Sequence, residues 1–149
     1  MTERISAMLG RKTYTRDELH HAESAVSAQL AAYDALAAAV NAASDPKLVA
    51  AFADFEPLFC NTMVLALDRY FVHRLRVVTG KDSNPLNEVE LLADSLINNG
   101  GVLRGNNVIK YVPDQTVVKL AVGDRVALSA AQFTQLSKAF LAEIKAKFV

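Results

Sequence analysis

The chain has 149 residues, 52% of them hydrophobic and 21% charged, a length that suits one domain and a composition too apolar for disorder. Sixteen basic residues balance sixteen acidic ones, so no global field draws it to nucleic acid or to an anionic membrane. The one cysteine, Cys60, cannot form an internal disulfide, and its apolar setting points to a buried structural thiol.

Residues 1–14 mix charged and apolar types without a sustained period, which predicts a flexible or loosely docked arm and not a signal peptide. Thr15-Arg16-Asp17-Glu18 is a capping box that opens a helix. Leu19, Val26, Tyr33 and Val40 then recur every seven residues, placing one apolar side on a helix that runs to about Ala43, roughly 40 Å at about 1.5 Å per residue. Its other faces are rich in alanine, from Ala25 through Ala42. Such a surface lets helices approach closely, in core packing or in a dimer seam.

Ser44-Asp45-Pro46 predicts a turn with Asp45 as N-cap and Pro46 at the first helical position. The next helix carries Leu48, Phe52 and Phe55, and Pro57 predicts a kink or short break near Phe55–Glu56. Asp54, Glu56, Pro57 and Asn61 interrupt the apolar span Leu48–Leu67, which argues against a membrane helix and for a cytoplasmic protein. The segment from Pro57 to Thr79 is the most apolar stretch, and it is expected to form the central helix.

Turned at about 100° per residue, its polar residues fall into two groups. Thr62, Arg69, His73 and Arg76 share a sector that reads as a solvated face, whereas Asn61 and Asp68 lie among Val64, Leu65, Val72 and Leu75. A buried carboxylate needs a partner, for which Tyr33, His21, Tyr70, Arg74 and Tyr111 are the candidates.

Gly80 ends this helix, Asn84-Pro85 starts another carrying Leu86, Val89, Leu92, Ala93, Leu96 and Ile97, and Asn98-Asn99-Gly100-Gly101 stops it. The short runs Val102-Leu103, Val108–Val112 and Arg125–Leu128 predict a small antiparallel sheet over about 102–128, with Pro113–Ala121 left open between strand and helical turn. Ser129-Ala130-Ala131-Gln132 is a second capping box. It opens a final helix whose inner face uses Phe133, Leu136, Phe140, Leu141 and Ile144.

The run FVHRLRVVTGKDSNPLNEVELL, followed by NNGGVL, IKY and VGDRVALS, resembles a group of small uncharacterised proteins from actinobacteria. The likeness covers roughly the last two-thirds of the chain, carries no catalytic signature and implies a cytoplasmic bacterial protein. Expected overall is a mainly α single domain over 1–149, a four- to five-helix bundle around 57–79 with a small sheet before the C-terminal helix.

For function, the chain has no G-x-S-x-G, glycine-rich phosphate loop, C-x-x-C or H-E-x-x-H, which argues against nucleotide-dependent and serine-nucleophile enzymes. Glu88, Glu90 and Asp94 on the one helix placed to read DNA would repel phosphate. The expectation is a non-enzymatic interaction or small-ligand-binding module, self-associating as a homodimer, with no cofactor, metal or nucleic acid. The alternative is an enzyme or metal protein with a pocket at Asn61, Asp68 and His73. Glu18 and His21 have the i,i+3 spacing of di-metal bundles, but those need a second copy and two further carboxylates.

Overall fold

The computed structural model describes residues 10–149, so positions 1–9 of the expected arm lie outside the described residues. Helix α1 spans Arg16–Ala43, α2 Pro46–Tyr70, α3 Arg76–Thr79, α4 Pro85–Asn98 and α5 Ala130–Phe148, with one turn of 3-10 helix at Pro113–Gln115. Both capping boxes form. Thr15 Oγ1 accepts from Glu18 N while Glu18 Oε1 accepts from Thr15 N, and Ser129 and Gln132 do the same for α5. Asp45 and Asn84 accept from the first backbone N–H groups of α2 and α4.

The core forms where α5 meets the other helices. Phe133, Leu136, Phe140 and Ile144 are fully buried, and α5 packs on α1, α2, α3 and α4. The segment expected to be central is therefore not the sole axis, and it is not one helix. Helix α2 begins eleven residues earlier, at Pro46, and ends at Tyr70. Pro57 does not break it into two helices. The carbonyl that its missing N–H leaves unpaired is that of Ala53, an exposed residue whose oxygen water can satisfy.

The stop at Tyr70 is made by Arg74. Its guanidinium donates to the carbonyls of Asp68 and Phe71 and to the Asp68 carboxylate, supplying side-chain partners for helix-end oxygens. His73 then takes φ 61°, a left-handed conformation that reverses the chain. Phe71 turns into the core between Tyr14 and Phe140. Residues 10–14 dock over this break: Arg11 N donates to His73 O at 2.6 Å, Leu75 N to Arg11 O at 3.1 Å and Tyr14 N to Phe148 O at 2.8 Å. A Cβ on Gly10 would sit 3.0 Å from the Leu75 side chain and 3.2 Å from His73 O, so only glycine lets the arm lie this close.

No sheet forms over 102–128 among the described residues. A single antiparallel bridge joins Val102 and Arg125, and left-handed residues at Gly100, Gly101, Lys119 and Gly123 interrupt the extended runs. The hydrophobics that suggested strands are buried one by one, Leu103, Ile109, Val126 and Leu128 each plugging into the helical core. Side chains satisfy much of the backbone there, beside backbone bonds from Leu103 N to Asp124 O, Gly123 N to Leu103 O and Val126 N to Gly101 O. Asn61 donates to Val126 O and accepts from Leu128 N. Ser83 Oγ donates to Lys110 O and accepts from Val112 N. Ser95 Oγ accepts from Arg104 N.

Glu88 makes the deepest of these contacts. Its side chain, 2% exposed, accepts from Val117 N at 2.8 Å and Val118 N at 2.9 Å. Burial raises its pKa above the ordinary 4.5, against the opposing pull of the two N–H groups. Glu88→Ala should destabilise the fold by about 2–4 kcal/mol, because two buried donors lose their acceptor. Glu88→Gln keeps one acceptor and should be milder. Since the folded pKa lies above the unfolded one, the wild type binds more protons when folded and loses stability as pH rises from 4.5 through the raised value. Urea denaturation of wild type and Glu88→Gln from that pH to neutrality should show the wild-type advantage shrinking as pH rises.

Candidate functional site

The residues singled out from sequence do not converge. Asn61 and Asp68 are seven apart on α2, and each is engaged separately, Asn61 by the 126–128 segment and Asp68 by Arg74 at 2.7 Å. Of the candidate partners for Asp68, it is Arg74 that binds it. Arg74 is the buried member of the pair, 7% exposed at its side chain against 34% for Asp68, and its guanidinium lies 5.4 Å from the centre of the Phe140 ring.

Two adjoining cavities follow the line between α2 and α4. One, of about 320 Å³, is lined by Asp68, Arg69, His73, Arg74 and Glu90. The other, of about 470 Å³, by Leu65, Arg69, Ala93, Asp94 and Ile97. They share Asp68, Arg69 and Glu90 and so form one open groove. Asp68 and His73 border it, and Asn61 does not.

Each carboxylate along this groove already holds an arginine. Asp68 pairs with Arg74, Glu90 with Arg76 at 2.9 Å and Asp94 with Arg104 at 3.1 Å. Asn98 and Arg104 together hold the Asp94 carboxyl below its ordinary range. Arg76, expected on a solvated stripe with Arg69 and His73, instead donates to Gly80 O, Asn87 Oδ1 and Glu90, because the break at 71–75 takes it off the α2 face. His73 is exposed. With the acids engaged in ion pairs, the groove offers no uncommitted carboxylate for acid–base work.

Glu18 and His21 are engaged separately. Arg11 binds both Glu18 oxygens, at 2.6 and 2.7 Å, and lowers its pKa to about 2. His21 packs edge-on against Tyr70 with ring centres 5.8 Å apart. No group of three His, Cys, Asp or Glu side chains gathers as a metal-holding cluster among the described residues. Cys60 is fully buried, and burial pushes its thiol up to about 11, which leaves it unreactive.

Sequence reasoning missed Glu88, which it counted as a surface charge repelling phosphate. The angular test that picked out Asp68 finds it too, since Glu88, Leu92 and Ser95 share one face of α4 and all are buried. Of the three acids of α4, Glu90 and Asp94 alone are part-exposed. Compared with family models, curated proteins and solved structures, the chain finds no match.

Two outcomes follow from these pairs. Arg74→Ala should destabilise more than Asp68→Ala, the latter by roughly 1.5–3 kcal/mol as a charged hydrogen bond is lost, because Arg74 also holds two carbonyls. Thermal and urea unfolding followed by circular dichroism give both values. Separately, Arg11→Ala should move the Glu18 pKa from about 2 back toward 4.5, read from its side-chain carbon shift across an acid titration.

Proposed function

We propose that the chain is a non-enzymatic interaction module that works through the apolar face of its α1–α2 hairpin. The supporting observation is a mismatch between composition and burial. Helix α2 is long and apolar enough to cross a membrane by length and composition, yet only 17% of its most apolar 18-residue window is buried. A helix so apolar is ordinarily a core helix. Here Leu48, Phe55 and Leu58 are exposed at 41, 41 and 67%, and Leu36 on α1 at 46%. An apolar patch of this kind marks a contact surface.

A bilayer is the less suitable neighbour. Cys60, Met63, Val64 and Leu67 lock the second half of α2 into the core, and Asp54 and Glu56 interrupt the first half. The reading therefore keeps the protein in the cytoplasm, as the actinobacterial resemblance implies. Leu58→Glu tests it. The side chain is exposed, so stability should change by no more than about 0.5 kcal/mol. In extract of the source cells the wild type should elute above its 16.2 kDa chain mass, and the variant should elute as the free chain. A wild type that elutes as the free chain would sink the reading.

A further inference from the structure

The hairpin surface has a period that says what covers it. On α2, turned at about 100° per residue, Leu48, Ala51, Phe55, Leu58, Thr62 and Leu65 fall on one sector, and all are exposed or half-buried. Their spacing alternates three and four residues, the a and d positions of a coiled-coil seam. Among the described residues only Leu65, at the end nearest α4, is partly packed against the core; the rest of the seam is exposed. On α1 the sector formed by Ala25, Ala28, Ala32, Leu36 and Ala39 is likewise exposed or half-buried. Val26 and Leu30 of α1 turn instead toward Ser137 and Leu141 of α5. Both open sectors thus lie on the side of the hairpin away from α5, and from Leu48 to Leu65 the α2 sector carries no charged side chain, with Lys47 and Arg69 at its two ends.

Resting on the interaction-module reading, we infer that the occupant is a second copy of this chain, its α2 seam packed antiparallel on the first about a twofold axis between Phe55 and Leu58. In that register Leu48 meets Leu65 of the second copy, Ala51 meets Thr62 and Phe55 meets Leu58. Large side chains pair with large and small with small, and one surface complements itself, as a twofold interface requires. The alanines of α1 let the two first helices close over each other, completing a four-helix bundle.

The charges at the seam's ends agree with this register. Arg69 continues the same sector, is exposed and has no ion pair among the described residues. The antiparallel register carries it past the N-terminus of the opposite α2, level with Ser44 and one residue from Asp45. That carboxylate uses one oxygen on Lys47 N, leaving the other for Arg69. The same place holds the C-terminal end of α1, whose carbonyls favour a cation. A parallel pairing would instead set Arg69 against Arg69.

Two cysteine variants decide the matter, each made in the full chain with the buried Cys60 in place and wild type as control. Within one helix Leu48 and Leu65 lie about 25 Å apart, too far for a disulfide, so a 48–65 bond can join only two chains. Under copper-catalysed oxidation an equimolar mixture of Leu48→Cys and Leu65→Cys should yield a disulfide dimer on a non-reducing gel, and either variant alone should not. Wild type should sediment at about twice 16.2 kDa. Arg69→Glu should raise the dimer Kd by roughly tenfold, as an attraction becomes a repulsion.

Crosslinking of Leu48→Cys to itself in preference to the mixture would overturn the antiparallel register. A purified monomer that still enters a larger, Leu58-dependent complex in extract would overturn the self-pairing while leaving the interaction module standing. A monomer in both settings would overturn both.

Discussion

Every buried backbone donor and acceptor needs a partner, and in the segment between α4 and α5 this constraint is met without a sheet. The Glu88 carboxylate holds Val117 and Val118. Asn61, Ser83 and Ser95 hold 126–128, 110–112 and 104 in the same way. These side chains stand on α2, on α4 or just before it, so the helices fix the segment at these points, while backbone bonds between 101–103 and 123–126 join its two ends. Four hydrophobic plugs, Leu103, Ile109, Val126 and Leu128, can then enter the core. Without Asn61 the Leu128 N–H would lose its acceptor, and without Glu88 so would those of Val117 and Val118. Burial of an acid at Glu88 is tolerated because its two bonds answer two donors that have no other acceptor.

The end of α2 solves a related problem for the opposite edge of the molecule. Arg74 gathers the last carbonyls of the helix and the carboxylate of Asp68, and the chain reverses at His73. That reversal frees the backbone of 73–75 to bind residues 10–11, and Tyr14 follows. The Tyr14 hydroxyl donates to Val72 O at 2.5 Å, and its ring meets Phe71 and Phe148. Burial pushes that phenol up to about 12. One ion pair on α2 thus positions the arm, the turn and the end of α5 together, which is a structural use for the inward Asp68 that its angular position demanded.

Features set by neighbours in the chain were legible in the sequence. Capping boxes, the Asp45 and Asn84 caps, the seven-residue stripe of α1 and the inner face of α5 all depend on residues within a turn or two. Features set by distant side chains were not. Arg74 stops α2 only because Asp68 and Phe71 are already folded around it, so the apolar run past Tyr70 read as more helix. The runs near Val108 and Arg125 have strand composition, but composition does not distinguish paired strands from single residues anchored in a core. In the groove, Asp68 was legible as an acid needing a partner. Glu88 was not, since a glutamate among Glu90 and Asp94 resembles a solvated face until its angle is measured against Leu92 and Ser95.

The core and the hairpin impose different demands on the same two helices. Near α5, α1 and α2 are covered on their apolar sides. Beyond about Leu30 and Phe59 they have mainly each other, joined by the stack of Tyr33 on Phe59 at 5.3 Å and on Phe52 at 5.0 Å. Helices of roughly a dozen residues are marginal alone in water, so the tip draws its order from continuity with the core and from that aromatic contact. Positions 41–50 are exposed throughout, leaving the far end with little of its own to hold it except its helix propensity and the Asp45 cap. A ligand that binds the ordered hairpin stabilises it by mass action. A surface whose apolar side chains recur at a and d positions recovers most from another helix of the same period, because each residue then enters a gap between four others. In the pairing proposed above, the alanine-rich tip is half of a bundle, stable enough to be presented and incomplete until it is covered.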